Sequence, residues 1–124
     1  MLTYTCHKGN RVMPFSNWHL FNKSEIEKAP ACKGVYQIYC TKRDVSYIGS
    51  SETSIRYRLI DHKKEAKFIK AKWFRYRRVS EDRLWITAKH IERSLSNNYY
   101  KEHGRKPLLQ ERSPKNIDDL DWLD

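Results

Sequence analysis

The stretch GVYQIYCTKRDVSYIGSS, residues 34–51, constrains this chain more than any other part of it. Two short apolar runs, rich in tyrosine and β-branched residues, flank the polar loop TKRD, which is the pattern of a β-hairpin. Pairing Cys40 with Val45 sets Tyr36 opposite Gly49 and Tyr47 opposite Ile38. Side chains alternate across a strand, so Tyr36 and Tyr47 then share one sheet face as diagonal neighbours, while Tyr39 points to the other face as core. Gly49 beside Tyr36 leaves room for a ligand's backbone to approach. A slip of one residue would undo all of this.

The rest of the chain supplies partners for the hairpin. SEIEKAP predicts a short helix with Ser24 as N-cap and Pro30 beyond its end. From Ser54 to about Ile69 the recurrence of Ile55, Leu59, Ala66 and Ile69 predicts one long helix. Arg58 and His62, four residues apart, stack on one flank of it; Arg56, Lys63, Lys67 and Lys70 gather on the other. WFRYRRV alternates aromatic and basic residues and predicts a third strand with a basic face that includes Arg75 and Arg77. Ser80, with Glu81 and Asp82 behind it, is a good helix start, and Leu84, Ala88, Ile91 and Leu95 form an apolar stripe after it. Glu92 sits at the edge of that stripe, half-buried, and the helix ends near Gly104 and Pro107. The fold class that follows is α+β: a small three-stranded, mostly antiparallel sheet flanked by helices.

Charge narrows the partners. The chain has 25 Lys and Arg against 15 Asp and Glu, a net +10 on 124 residues. A small domain this basic points to a polyanion, and nucleic acid is the first candidate. No apolar run approaches the ~20 residues of a membrane span, and the basic stretch lacks a wide apolar face for lying in lipid. The N-terminus lacks the apolar core of a signal peptide, so a cytoplasmic or nucleoid-associated location is expected. Three cysteines without C-x-x-C spacing indicate neither a disulfide scaffold nor a zinc site. The end, PKNIDDLDWLD, reverses the charge with four aspartates against one lysine and reads as a solvated acidic tail.

The order of these features resembles the GIY-YIG nuclease family. The name-giving triplets are Gly34-Val35-Tyr36 and Tyr47-Ile48-Gly49. The family's R-x-x-x-H matches IRYRLIDH at Arg58 and His62, since Arg56 lacks the spacing to the histidine. The family's metal-binding glutamate, on a helix after the third strand, matches Glu92 in HIERSL. The asparagine that often follows a Lys/Arg-Pro pair is replaced in KPLLQ by Gln110, a possible auxiliary residue. The likeness spans roughly residues 30–111, and five chemical positions in the right order make it specific.

The resemblance implies a metal-dependent DNA endonuclease acting by phosphodiester hydrolysis, with catalytic Tyr36, Tyr47, Arg58, His62 and Glu92. One Mg²⁺ or Mn²⁺ per active site would sit on Glu92. Double-stranded DNA would be held by Arg56, Lys63, Lys67, Lys70, Arg75 and Arg77. One site cuts one strand, so either a homodimer or sequential nicking would be needed to cut both. Residues 1–30 form an N-terminal extension in this reading, 31–112 the nuclease domain and 113–124 the tail. Two alternatives stand beside it: a catalytically silent nucleic-acid-binding domain of the same fold, and an RNA-directed nuclease.

Overall fold

A computed structural model describes residues 14–80 and 87–110. The chain runs β1 (His19–Leu20), α1 (Lys23–Ile26), β2 (Gly34–Tyr39), β3 (Tyr47–Ser51), α2 (Ile55–Lys63), a 3₁₀ turn (Ala66–Phe68), β4 (Trp73–Arg78) and α3 (Ala88–His103). The strands form one antiparallel sheet in the order β1-β4-β2-β3. It is α+β as expected, but with four strands rather than three. His19 and Leu20 add the extra edge strand by pairing with Phe74 and Trp73. Two residues are too few to show the strand alternation that a sequence pattern needs. No helix of the described residues is long and apolar enough to cross a membrane.

The hairpin forms in the expected register, with Tyr36 opposite Gly49 and Ile38 opposite Tyr47. All six residues of β2 are buried, because this central strand is covered on both faces. On one face Tyr36, Ile38, Phe74 and Tyr76 pack with Ile55 and Leu59 of α2, with Phe68, and with Phe21 and Ile26. On the other, Tyr39, Val45 and Ile48 meet Tyr99 of α3. Each fully buried large apolar side chain contributes about 1.5–3 kcal/mol relative to exposure. Phe21 and Ile26 belong to the first of these cores, so residues assigned to an N-terminal extension help to build the domain.

Several helix boundaries differ from the sequence reading. In α1 the cap is Asn22, whose side chain accepts from Glu25 N, and Ser24 lies inside the helix. α2 starts where the pattern placed it, with Ser54 as its cap, accepting from Tyr57 N at 3.1 Å. That helix stops at Lys63, and Glu65 turns extended (φ −86°, ψ 135°) before the 3₁₀ turn. The break buries Phe68 against His62 and Tyr47 and leaves Ile69 83% exposed. Lys67 and Lys70 therefore do not lie on the same helix as Arg56 and Lys63. The proposed start at Ser80 borders residues 81–86, which with Leu84 fall outside the described residues, and α3 opens at Ala88 under a Thr87 cap. Gly104 ends it in the left-handed conformation (φ 71°), the usual glycine C-cap. Cys40 is free and half-buried, whereas Cys32 is disulfide-bonded, a pairing the cysteine spacing did not indicate.

Candidate active site

The fold brings Tyr36, Tyr47, Arg58 and His62 together on the α2 face of the sheet. His62 occupies the inner flank of α2, one helical turn beyond Leu59, and only 2% of it is exposed. Its Nε2 lies 2.7 Å from Tyr36 Oη, and its Nδ1 lies 2.5 Å from Glu65 Oε1. An ionised carboxylate can only accept, which places the imidazole proton on Nδ1 and leaves Nε2 to accept from the Tyr36 hydroxyl. Glu65, His62 and Tyr36 thus form a carboxylate–imidazole–phenol series pointing inward from the surface. Sequence reasoning missed Glu65. The signal was the i,i+3 spacing in HKKE, which also needed the helix to end where it does.

Electrostatics keep the Tyr36–His62 pair in its neutral form. Burial pushes the Tyr36 phenol above the ordinary tyrosine range, with Tyr47 adding to the rise and Arg58 opposing it. Glu92 makes the smallest contribution, also raising it. Burial also lowers the His62 pKa, the Glu65 hydrogen bond opposes this, and Arg58 and Lys67 add to the lowering. Tyr36 is therefore a protonated phenol at neutral pH, facing an unprotonated imidazole nitrogen. Tyr47 stacks beside it with ring centroids 6.3 Å apart, and also meets the His62 ring edge-on at 4.9 Å. Lys67 Nζ stands 5.3 Å from the Tyr47 ring centroid. Arg58 is half-buried and interacts with the Tyr36 phenol, while its Nη1 lies 3.4 Å from Asp61.

Gly49 has a different role from the one its position suggested. A Cβ on Gly49 would overlap the Tyr36 phenol, so the space beside Tyr36 is filled by Tyr36 itself and is not open to a ligand. A Cβ on Gly34 would overlap the Arg77 carbonyl and the Ile55 side chain. The two glycines of the triplets let a tyrosine ring and a helix lie directly on the sheet.

Glu92 approaches from the opposite side. α3 packs on the Tyr39 face, so Glu92 reaches the edge strand β3 from there, not from the face that carries Tyr36. Tyr36 and Tyr47 share one sheet face as expected, but with Glu92 the candidate residues straddle an edge strand. Ser50 Oγ donates to Glu92 Oε1 at 2.5 Å, and Lys89 Nζ lies 3.3 Å from Oε2. The Glu52 carboxylate sets this helix in place by accepting from Ala88 N at 3.1 Å and Lys89 N at 3.0 Å. Among the described residues no group of three or more His, Cys, Asp or Glu could hold a metal ion. A hydrated Mg²⁺ asks for less, since it keeps most of its waters and takes one or two carboxylates. Glu92, with its side chain 14% exposed and a serine hydroxyl beside it, fits that modest requirement.

The remaining candidates are dispersed. Arg56 Nε donates to Ala29 O at 2.8 Å, and Lys63 Nζ stands 5.1 Å from the Phe21 ring centroid. Lys70 is exposed. Arg75 and Arg77 lie on the face opposite Tyr36, with guanidinium carbons 4.3 and 4.9 Å from the Phe15 ring centroid. Gln110 braces the outer edge of β3, its Oε1 accepting from Ile48 N and its Nε2 donating to Ile48 O, both at 3.0 Å. The acidic tail lies outside the described residues. No protein-family model, curated protein or solved structure matches the chain. A functional reading therefore rests on these residues and their geometry.

Proposed function

We propose that the chain is a metal-dependent DNA endonuclease of the GIY-YIG type. The observation that carries the reading is the buried 2.7 Å contact between Tyr36 Oη and His62 Nε2, with Glu65 behind it and Arg58 beside it. Hydrolysis of a phosphodiester needs a group that takes a proton from water and a cation that meets the phosphate oxygens. Arg58 supplies a forked, permanent charge for the phosphate. Tyr36 cannot act as a ready-made phenolate, because burial raises its pKa. Instead, water passes a proton to Tyr36 Oη as Tyr36 passes its own to His62 Nε2, and Glu65 stabilises the resulting imidazolium. The oxygen of that water bonds to phosphorus as the phosphorus–oxygen bond of the leaving group breaks. Tyr47 and Arg58, half-buried, meet the substrate first. Glu92 is the residue that would hold Mg²⁺ or Mn²⁺, which when bound would offset charge on the departing oxygen. The net charge of +10 supports duplex DNA as substrate.

A silent nucleic-acid-binding domain is favoured by one specific observation: Tyr36 is only 1% exposed. One experiment separates the readings. Supercoiled plasmid, linear duplex and a structured RNA are incubated with the protein, with Mg²⁺ or with EDTA, beside Glu92→Ala and His62→Ala. The endonuclease reading expects Mg²⁺-dependent DNA cleavage that both variants lose. Binding without cleavage under every metal condition would support the silent domain, and preferential cutting of the RNA would change the substrate class. Undiminished cleavage by Glu92→Ala would remove the metal assignment.

A further inference from the structure

The sheet face opposite the Tyr36 cluster carries a groove of about 520 Å³ that the nuclease reading does not use. Gln37 and Tyr39 of β2 and Arg75 of β4 line it, together with Trp18 and with Lys42 and Arg43 of the hairpin loop. Gln37 is polar yet only 6% exposed. Its Oε1 accepts from Tyr39 Oη at 2.8 Å and from Arg75 Nε at 2.9 Å. Because the arginine can only donate, these bonds fix which end of the amide is oxygen. Among the described residues no group accepts from the Gln37 Nε2, so its two N–H donors are left to whatever fills the groove. With no partner among the described residues and not fully buried, Gln37 Nε2 reaches the open groove, where a ligand acceptor can take the place of water.

The surroundings narrow that ligand. Trp18 and Tyr39 meet edge to face with centroids 4.1 Å apart, and the Arg75 guanidinium carbon lies 5.4 Å from the Trp18 ring centroid. The groove therefore offers flat aromatic and guanidinium surfaces for a planar ring. Lys42 and Arg43 are exposed cations at the same groove. The nearby Asp44 does not cancel them fully, since it is engaged by Tyr99 Oη at 2.9 Å and Arg105 Nη2 at 3.0 Å. A planar ring with an acceptor edge, joined to an anion, matches all three features. Pockets for small molecules of that size commonly span about 300–1,000 Å³.

We propose that this groove binds one nucleotide, the base against Trp18 and Tyr39 with an acceptor on Gln37 Nε2, and the phosphate on Lys42 and Arg43. The same chemistry is presented by an unpaired nucleotide of a strand and by a free mononucleotide. The site stands whether or not the Tyr36 cluster cleaves DNA.

The test uses the full chain and the variant Gln37→Glu. Glutamate keeps an oxygen for Tyr39 and Arg75 but replaces the amide donor by an acceptor. Calorimetric titration with nucleoside 5′-monophosphates, a short unstructured oligonucleotide and inorganic phosphate is compared for both proteins. The expected result is saturable nucleotide binding, with inorganic phosphate and the Gln37→Glu variant each weaker by about tenfold or more, and a further loss in the Lys42→Ala, Arg43→Ala double variant. Tighter binding of the oligonucleotide than of the monophosphate, lost in Gln37→Glu, would identify the unpaired strand as the source; the reverse order would identify the free nucleotide. Because Gln37 is buried, ¹⁵N spectra of the wild-type protein provide a check that does not depend on the variant folding: the Gln37 side-chain amide should shift on adding nucleotide. The proposal is overturned if nothing saturates, if that resonance stays in place, if a folded Gln37→Glu protein binds as the wild type does, or if phosphate alone binds as tightly as the nucleotide.

Discussion

Tyr36, Gly49, His62 and Glu65 show how much a single position can decide in this chain. The Tyr36 ring occupies the space where a Gly49 Cβ would stand, so Gly49→Ala must displace the ring or the strand. Overpacking of this kind costs about 1–3 kcal/mol, and calorimetry should show the melting temperature several degrees lower. His62 has the opposite vulnerability, to pH. Burial, with help from Arg58 and Lys67 and against the pull of Glu65, holds its pKa below the ordinary 6.5. Below 6.5 the unfolded chain binds a proton that the folded chain refuses, so stability from neutral His62 is complete above that value. It is lost as pH falls towards the lowered pKa. Thermal melts from pH 7 to pH 5 should show the wild type losing more stability than His62→Gln. On the catalytic reading, Glu65→Ala should lower the cleavage rate by about tenfold or more while DNA affinity, measured separately, stays near that of the wild type.

At the scale of elements, the edge strand β3 lies between the two halves of the candidate site, and the Gln110 side chain with the Leu109 backbone covers its outer side. Gln110 imitates a neighbouring strand by exchanging two hydrogen bonds with Ile48, and the Leu109 amide donates to Ser46 O at 2.7 Å. These contacts cover an edge that would otherwise be open to pairing with another chain. Gln110→Ala should cost about 1–3 kcal/mol and speed hydrogen exchange at the Ile48 amide, while amides of the central β2 change little. Glu52 plays the matching part for α3 by capping its first N–H groups. Glu52→Ala should destabilise by about 0.5–2 kcal/mol and loosen the Glu92 position, seen as faster exchange in the first turn of α3.

For the whole molecule, a net charge of +10 predicts nucleic-acid affinity that falls steeply with salt. Its distribution matters more than its size. Arg56 is bonded to Ala29 O, and Arg75 and Arg77 lie on the far face, whereas Lys67 stands over Tyr47 beside the candidate site. If duplex DNA docks there, Lys67→Ala should weaken binding and reduce the slope of log K against log salt by about one. Arg77→Ala should leave that slope nearly unchanged. Filter binding at several salt concentrations would measure both.

The sequence alone determined the hairpin, because strand alternation around a short polar loop admits few alternatives, and the register supposed for it, with Tyr36 opposite Gly49, is the one the structure adopts. It also determined the start of α2 near Ser54 and the Arg58–His62 spacing, which are local properties of a helix. Only the tertiary structure decided the rest. Burial of Phe68 ended α2 early and turned Glu65 onto His62, a contest between core packing and helix propensity that no local window contains. The sequence placed Gly49 beside Tyr36, but only packing showed the ring filling the gap. The side of the sheet taken by α3 put Glu92 across the edge strand from Tyr36, because that helix had to cover Tyr39, Val45 and Ile48.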